Sequence, residues 1–234
     1  MAQKKLQRFA DIKEFTNVLE YPQDMQGKWH QFFQNDNPVV LELACGKGEY
    51  TVGLARLYPD LNTIGIDIKG NRIWRGAKTA LDENLQNAAF LRTRIEQLGD
   101  YFSPGEVSEI WITFPDPQLR MSKQKKRLTH PRFLRIYQRI LKEAGAVHLK
   151  TDSPQLYDFT KQVIELYNLR LMVDNDNVYA GQNLSPELCI QTHYEQMDIA
   201  KSNTIYYLKF AVNQPLDFEK DEQLKLLERE ETAG

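Results

Sequence analysis

Cysteine is scarce in this chain, and long apolar runs are missing. The 234 residues include only two cysteines, Cys45 and Cys189, which excludes a disulfide framework. No cluster of cysteine and histidine has the spacing of a zinc site, so we expect reduced thiols and no metal. No stretch approaches the roughly 18 consecutive apolar residues of a membrane span, and no apolar core of a signal peptide follows the basic start. The sequence therefore predicts a cytoplasmic protein with no membrane partner.

The overall composition is that of an ordinary globular protein. Hydrophobic residues make up 41% of the chain and charged residues 26%, which excludes collagen-like, disordered and coiled-coil proteins. A length of 234 residues suits one α/β domain with extensions. We expect an N-terminal extension over residues 1–37, the main domain over 38–212 and an acidic tail over 213–234. The tail is acidic because seven acids oppose three bases between Asp217 and Glu231.

One internal segment lacks acids altogether. The formal net charge of the chain is -2, yet no Asp or Glu occurs between residues 120 and 142, where there are nine cations. A basic block of this kind is typical of a surface that binds a polyanion such as nucleic acid. A solvated helix face is the alternative, but nine cations without an interspersed acid favour binding. The cations are Arg120, Lys123, Lys125, Lys126, Arg127, Arg132, Arg135, Arg139 and Lys142.

Short apolar runs alternate with segments of helical periodicity through most of the chain. Five runs rich in β-branched and aromatic residues predict buried strands, and most are separated by helical patterns, so we expect a mostly parallel, doubly wound α/β sheet. Two later runs, Leu169–Val173 and Thr204–Val212, have no helix of similar length between them and predict an antiparallel C-terminal pair. The five predicted strands are Val39–Ala44, Asn62–Ile66, Ala88–Leu91, Glu109–Phe114 and Ala146–Leu149.

A loop with two glycines follows the first predicted strand. Gly46 and Gly48 let the backbone turn sharply and approach a ligand, and Asp67 ends the second strand where an acid can bind the two hydroxyls of a ribose. Thr51 stands where a dinucleotide motif requires Gly or Ala, which disfavours an NAD-dependent reductase. Glu42 favours the zwitterionic methionine end of S-adenosylmethionine over a pyrophosphate. A tight turn in a ligand-free α/β protein is the bland alternative.

A carboxylate between two prolines follows the fourth predicted strand. Pro115 and Pro117 hold Asp116 on a stiff backbone, at the strand end where doubly wound sheets bind ligands. The segment leads directly into the basic block. We therefore expect Asp116 to face whatever meets the cofactor rather than to form only a turn.

Taken in chain order, these motifs resemble the bacterial tRNA (guanine-N7-)-methyltransferase family over roughly residues 38–210. The resemblance implies a Rossmann-like methyltransferase domain, S-adenosylmethionine as the methyl donor, and N7 of a guanosine in the tRNA variable loop as the acceptor. It rests on Leu41–Gly48, Gly65–Asp67, Phe114–Pro117, Lys125–Thr129, Thr151–Asp152 and Thr192–Glu195.

The resemblance also implies which residues bind the donor. Glu42 and Asp67 align with the family's two donor-binding acids, and the glycine loop lies between them in the chain. A third family acid falls near Arg94, so Glu96, two residues further on, takes its place in the prediction. The predicted donor-binding residues are Glu42, Gly46, Gly48, Asp67 and Glu96.

Asp116 falls on the family's catalytic-loop acid, and we predict that it is the catalytic residue. Contacts to the acceptor are implied for Asp152 and for the T-x-[FY]-E motif. Cations of the basic block would hold the phosphates of the tRNA. The predicted substrate-binding residues are Arg120, Lys123, Lys125, Lys126, Arg127, Asp152, Thr192 and Glu195.

Three departures from the family keep other functions open, the first being Arg94 at the place of the third family acid. Gln118 stands where the family usually has tryptophan, and the stretch from Arg120 to Lys123 loses a histidine and an arginine. The first alternative is a methyltransferase that acts on an exocyclic amino group of a nucleic acid, although its Pro-rich loop has a different order. The second is an inactive RNA-binding protein with the same fold. We expect a monomer or a homodimer.

Overall fold

The computed structural model describes residues 2–181, 184–197 and 204–233. Within these ranges the strands form one eight-stranded sheet, and none of the helices there is long and apolar enough to cross a membrane. The strands are β1 (Val18–Glu20), β2 (Val39–Leu43), β3 (Asn62–Asp67), β4 (Ala88–Arg92), β5 (Val107–Thr113), β6 (Leu141–Thr151), β7 (Arg170–Asn175) and β8 (Tyr206–Ala211). The helices are α1 (Ala2–Glu14), α2 (Trp29–Phe33), α3 (Glu49–Leu57), α4 (Gly70–Asp82), α5 (Pro131–Ile140), α6 (Pro154–Leu166), α7 (His193–Gln196) and α8 (Lys220–Ala233).

The order of the strands across the sheet is β1-β4-β3-β2-β5-β6-β8-β7. The first six are parallel to one another, whereas β8 is antiparallel to both β6 and β7. This confirms the predicted mostly parallel sheet with an antiparallel C-terminal pair. The chain runs outward from β2 through β3 to β4 and then returns to the other side of β2 as β5. The switch point, where such sheets bind ligands, therefore lies between β2 and β5.

The helix before β6 is shorter than the sequence predicts, and the strand begins earlier. The periodicity from Pro131 predicts a helix closed by Gly145, but α5 ends at Ile140 and the chain enters β6 at once. Gly145 lies instead at an irregularity where β6 is out of register with β5. A Cβ there would lie 2.8 Å from the carbonyl oxygen of Lys142, so the glycine permits a close bend within the strand.

The N-terminal extension is built into the sheet and its core. Its first helix packs on α4, and β1 pairs with β4 as a parallel edge strand that the sequence pattern did not predict. The fully buried Trp29 stacks on Phe102 with 5.2 Å between ring centroids, and its indole nitrogen donates to the carbonyl of Tyr101. The extension thus contributes to the packing of the main domain.

The acidic tail also contacts the main domain. Asp221 in α8 accepts hydrogen bonds from Tyr167 and from Arg135, whose guanidinium lies 2.7 Å from its carboxylate. Leu224, one turn later, is fully buried. The tail therefore binds one of the nine cations of the basic block through one of its own acids.

Candidate active site

Four loops meet at the carboxyl edge of the sheet. Leu43 at the end of β2 pairs with Ile66 of β3 on one side and Ile112 of β5 on the other. One strand further, Thr113 pairs with Lys150 of β6. Because the ends of parallel strands lie side by side, the loops that carry the two glycines, Asp67, Asp116 and Asp152 share this edge.

The glycine loop is hydrogen-bonded to Asp67, the acid that ends β3. The backbone N–H of Gly46 donates to Oδ2 of Asp67 over 3.0 Å, and that of Lys69 donates to Oδ1 over 2.8 Å. Gly48 has φ +71°, and a Cβ there would lie 2.4 Å from the ring of Phe90. Glycine is therefore required at position 48, and Asp67 is fixed beside the loop with 7% of its surface exposed.

Glu42 lies beneath the loop rather than on its surface. One carboxylate oxygen accepts from the N–H of Thr51 over 2.8 Å and from its hydroxyl over 2.5 Å, and the other accepts from the Thr113 hydroxyl over 3.0 Å. Burial raises the pKa of Glu42 to about 7, and the hydrogen bonds from Thr51 and Thr113 oppose that rise. Glu42 thus joins β2, β5 and the start of α3.

The loop after β5 presents Asp116 to solvent. The chain reverses sharply at both ends of it, with φ +46° at Phe114 and +49° at Gln118. Asp116 is exposed, and its Oδ1 accepts a hydrogen bond from the N–H of Gln118 over 3.0 Å. Arg127 donates to the carbonyl of Pro117 over 3.2 Å and so supports the loop from the protein side.

A distant segment, residues 184–197, returns to the same edge. Within it, Thr192 and Glu195 form a capping box at the start of α7. Glu195 accepts from Lys150 of β6 over 3.1 Å. A Cβ on Gly46 would lie 3.9 Å from the ring of Tyr194. The structure therefore brings the predicted acceptor motif against the predicted donor loop, and it adds Tyr194 and Lys150, to which the sequence interpretation gave no role.

The remaining predicted donor contact, Glu96, lies in a turn over Ile95–Asp100, after β4. Its carboxylate is 3.5 Å from the guanidinium of Arg132, and both side chains are about half exposed. Glu96 therefore remains a predicted donor-binding residue, and in this structure its partner is Arg132.

The basic block divides into exposed and inward cations. Four of the five predicted phosphate contacts are exposed around the turn over Met121–Lys126. Arg127 is 5% exposed and lies over the ring of Phe159 at 4.4 Å. The exposed cations are Arg120, Lys123, Lys125 and Lys126. In the described part of the chain, no group of three His, Cys, Asp or Glu side chains could hold a metal ion.

Comparison with known proteins identifies the family. The model of a family described as putative methyltransferases matches residues 36–208. A tRNA (guanine-N(7)-)-methyltransferase of Bacteroides thetaiotaomicron is 47% identical over 92% of this chain and 88% of its own length. The enzyme of that name from Porphyromonas gingivalis is 48% identical over 87% of this chain and 88% of its own length. This chain belongs to the tRNA (guanine-N(7)-)-methyltransferase family.

Solved structures support the fold of this family member. The 16S rRNA methyltransferase KamB is 13% identical, with a TM-score of 0.61 over 85% of this chain and 99% of its own. A 16S rRNA (adenine(1408)-N(1))-methyltransferase from Catenulisporales acidiphilia, determined with the cosubstrate SAM, is 12% identical, with a TM-score of 0.55 over 81% of this chain and 92% of its own. The chain thus has the Rossmann-like fold of S-adenosylmethionine-dependent methyltransferases, as predicted.

Proposed function

We propose that this chain transfers a methyl group from S-adenosylmethionine to N7 of a guanosine in the variable loop of tRNA. The observation that carries the proposal is the 47% identity, over 92% of the chain, to a protein named tRNA (guanine-N(7)-)-methyltransferase. The arrangement of the carboxyl edge supports it, because a loop suited to the donor adjoins an exposed carboxylate and a basic surface. A tRNA substrate implies a cytoplasmic enzyme, which acts as a monomer or a homodimer.

The residues at the edge fit the donor. Each oxygen of the Asp67 carboxylate accepts one backbone N–H, and a carboxylate oxygen has two lone pairs, so both can also accept a ribose hydroxyl. Gly46 and Gly48 would hold the methionine end, and Glu42 supports their loop from beneath. When bound there, S-adenosylmethionine supplies an activated methyl group.

The acceptor atom needs alignment rather than deprotonation. N7 of guanine has an in-plane lone pair and no proton, so no side chain has to act as a general base. Orientation of the base supplies most of the acceleration, and the ring gains positive charge as it is methylated. Asp116 accepts hydrogen bonds from N1–H and the amino group of guanine, which holds the base and stabilises that charge. Asp152 or Glu195 would share this role.

The exposed cations hold the RNA. Arg120, Lys123, Lys125 and Lys126 follow the Asp116 loop directly, so phosphates bound there would bring a neighbouring base to the carboxylate. Such contacts position the RNA without reading its sequence. The guanosine itself is reached most easily when it is unstacked.

The proposal is tested with unmodified tRNA and donor that carries a labelled methyl group. We expect incorporation into tRNA and 7-methylguanosine after digestion to nucleosides. Asp116→Asn should lower single-turnover methylation by about 100-fold or more, because the variant has no carboxylate aimed at the developing charge. Its affinity for the donor should stay at the parent value.

Donor binding provides a separate arm of the same test. Asp67→Ala should weaken calorimetric binding of S-adenosylmethionine by about 1.5–3 kcal/mol for each charge-assisted hydrogen bond removed. A methyl group on an exocyclic nitrogen would favour the first alternative function. Donor binding without incorporation into any tRNA would favour the inactive RNA-binding protein, and tight NAD binding would contradict the donor assignment.

A further inference from the structure

A fully buried lysine lies at the end of β6, beside the site but outside the contacts described for donor and acceptor. The Nζ atom of Lys150 donates to the carbonyls of Leu188 over 2.9 Å and Ile190 over 3.0 Å. It also lies 3.1 Å from the carboxylate of Glu195 and 3.3 Å from the hydroxyl of Tyr179. Every one of these acceptors belongs to residues 179–195.

This arrangement makes the ammonium and the segment depend on each other. A buried charge is costly unless it is paired and hydrogen-bonded, and Lys150 has 0% of its surface exposed. Burial lowers its pKa, and Glu195 opposes that change. Because three of the four acceptors are supplied by this segment and the fourth by Tyr179, the hydrogen bonds of the ammonium are complete only when these residues pack against the sheet.

The segment has little regular structure with which to hold its own shape. Its only α-helix in the described part is α7, a single turn of four residues, and so short a helix is not stable alone. Elsewhere it is held by the hydroxyl of Tyr50, which donates to the carbonyl of Glu187 over 2.5 Å. Ile190 also packs on α3, where a Cβ at Gly53 would lie 2.8 Å from it.

We propose that Lys150 is a positioning residue for the methyl transfer. Its ammonium gathers two carbonyls and one carboxylate of the segment, and thereby fixes Thr192 and Glu195 against the glycine loop. The inference rests on the proposed function, since Thr192 and Glu195 are among the predicted substrate-binding residues. Lys150 itself touches neither donor nor acceptor.

The primary variant is Lys150→Met, which keeps the volume and removes the charge. Amides of residues 186–196 should exchange with deuterium about 10- to 100-fold faster, because the charge-assisted hydrogen bonds to the segment are removed. The rest of the sheet should exchange at the parent rate. The kcat should fall by a similar factor, while KM for tRNA stays within about twofold, since phosphate contacts to the exposed cations dominate RNA affinity.

Lys209→Met is the matched control. Lys209 lies on the same face of the sheet, opposite His148 in the antiparallel pair. Its ammonium is 3.3 Å from Glu109 and makes no described contact with residues 179–195. This variant should leave both kcat and the exchange of residues 186–196 at parent values.

Tyr179→Phe keeps the test decisive if Lys150→Met fails to fold. Tyr179 is 39% exposed, and its hydroxyl contacts both Lys150 and Glu195, so its removal should raise exchange over 186–196 and lower kcat several-fold. Parent-like exchange or parent-like kcat in a folded Lys150→Met overturns the proposal. If that variant does not fold, a parent-like Tyr179→Phe overturns it. Absence of methylation by the parent would reject the proposed function, whereas the exchange measurement needs no substrate.

Discussion

The two faces of the central sheet are built from different chemistry. One face is wholly apolar in its middle strands and packs against α5, α6 and the Trp29 region. The other face carries buried polar groups and is covered by α3 and by apolar side chains at positions 178, 184, 188 and 190. The apolar residues are Leu41, Leu43, Ile110, Ile112, Val147, Leu149, Leu208 and Phe210. The polar ones are Glu42, Thr113, His148 and Lys150.

The difference shows where the fold is stabilised and where the site is made. Apolar side chains can be exchanged for others of similar volume at modest cost, whereas each buried polar group requires its own partner. On the polar face His148 stacks on Trp111 with 3.9 Å between centroids and lies 2.8 Å from the Tyr207 hydroxyl. The buried polar groups of this face therefore fix the loops that pack on it, whereas the apolar face supplies most of the stability.

The largest effect is expected from placing a charge on the wrong face. Leu149→Lys puts an ammonium next in sequence to Lys150 but on the apolar side, where the neighbours are hydrophobic side chains. We expect a loss of at least about 4 kcal/mol in the free energy of unfolding, measured by urea denaturation. Leu149→Met, the control, should lose less than about 1.5 kcal/mol. A Leu149→Lys protein as stable as the parent would show that the two faces are equivalent.

A smaller effect, with a pH dependence, is expected on the polar face. The pKa of Glu42 is about 7 in the folded chain because of burial, against about 4.3 for an unperturbed glutamate. Between these values the folded state binds more protons than the unfolded state, so the free energy of unfolding falls as pH rises, by on the order of 3 kcal/mol.

Glu42→Gln removes this titration. The stability of the parent relative to Glu42→Gln should therefore decrease between about pH 4.3 and about pH 7, and it should stay constant above the folded pKa. Urea unfolding of both proteins across this range measures the difference and cancels the other titrating groups. A difference that does not change with pH would mean that Glu42 is ionised throughout.

The smallest effect on stability is expected at the exposed cations, which belong to neither face. Replacing Arg120, Lys123, Lys125 and Lys126 by Gln should change the free energy of unfolding by less than about 0.5 kcal/mol. The salt dependence of tRNA binding should flatten by about 0.7–0.9 in slope for each phosphate that is no longer neutralised. Arg127→Gln, the matched control, should lower stability and leave the slope unchanged. An unchanged slope in the fourfold variant would show that the cations of this turn are only solvated and do not bind tRNA.

The parallel sheet and the donor loop were predictable from the sequence for a physical reason. Strands buried on both faces read as continuous apolar runs, and every residue of β2 and β3 is buried. Gly48 and Asp67 occur at fixed places relative to those strands, so strand boundaries also locate them. The irregular register at Gly145 and the three-residue β1 leave no comparable periodic signal.

The position of the segment over 184–197 could not be predicted from local sequence pattern. Its packing against the sheet depends on Lys150, which is distant in sequence and follows an apolar run. A lysine within a buried strand indicates that a buried acceptor lies nearby, but the sequence does not show which acid pairs with it. The inward turn of Arg127 escaped prediction for the same reason, since charge counts do not distinguish an exposed cation from one packed on Phe159.

The most direct test of the proposed reaction is chemical cleavage of the product. Methylation at N7 gives the imidazole ring a fixed positive charge, which makes it reducible by borohydride and lets aniline break the chain at that nucleotide. Unmodified tRNA incubated with the protein and S-adenosylmethionine should be cut at one guanosine of the variable loop, and should stay intact when the donor is omitted. A tRNA that has gained a methyl group but resists cleavage would contradict transfer to N7.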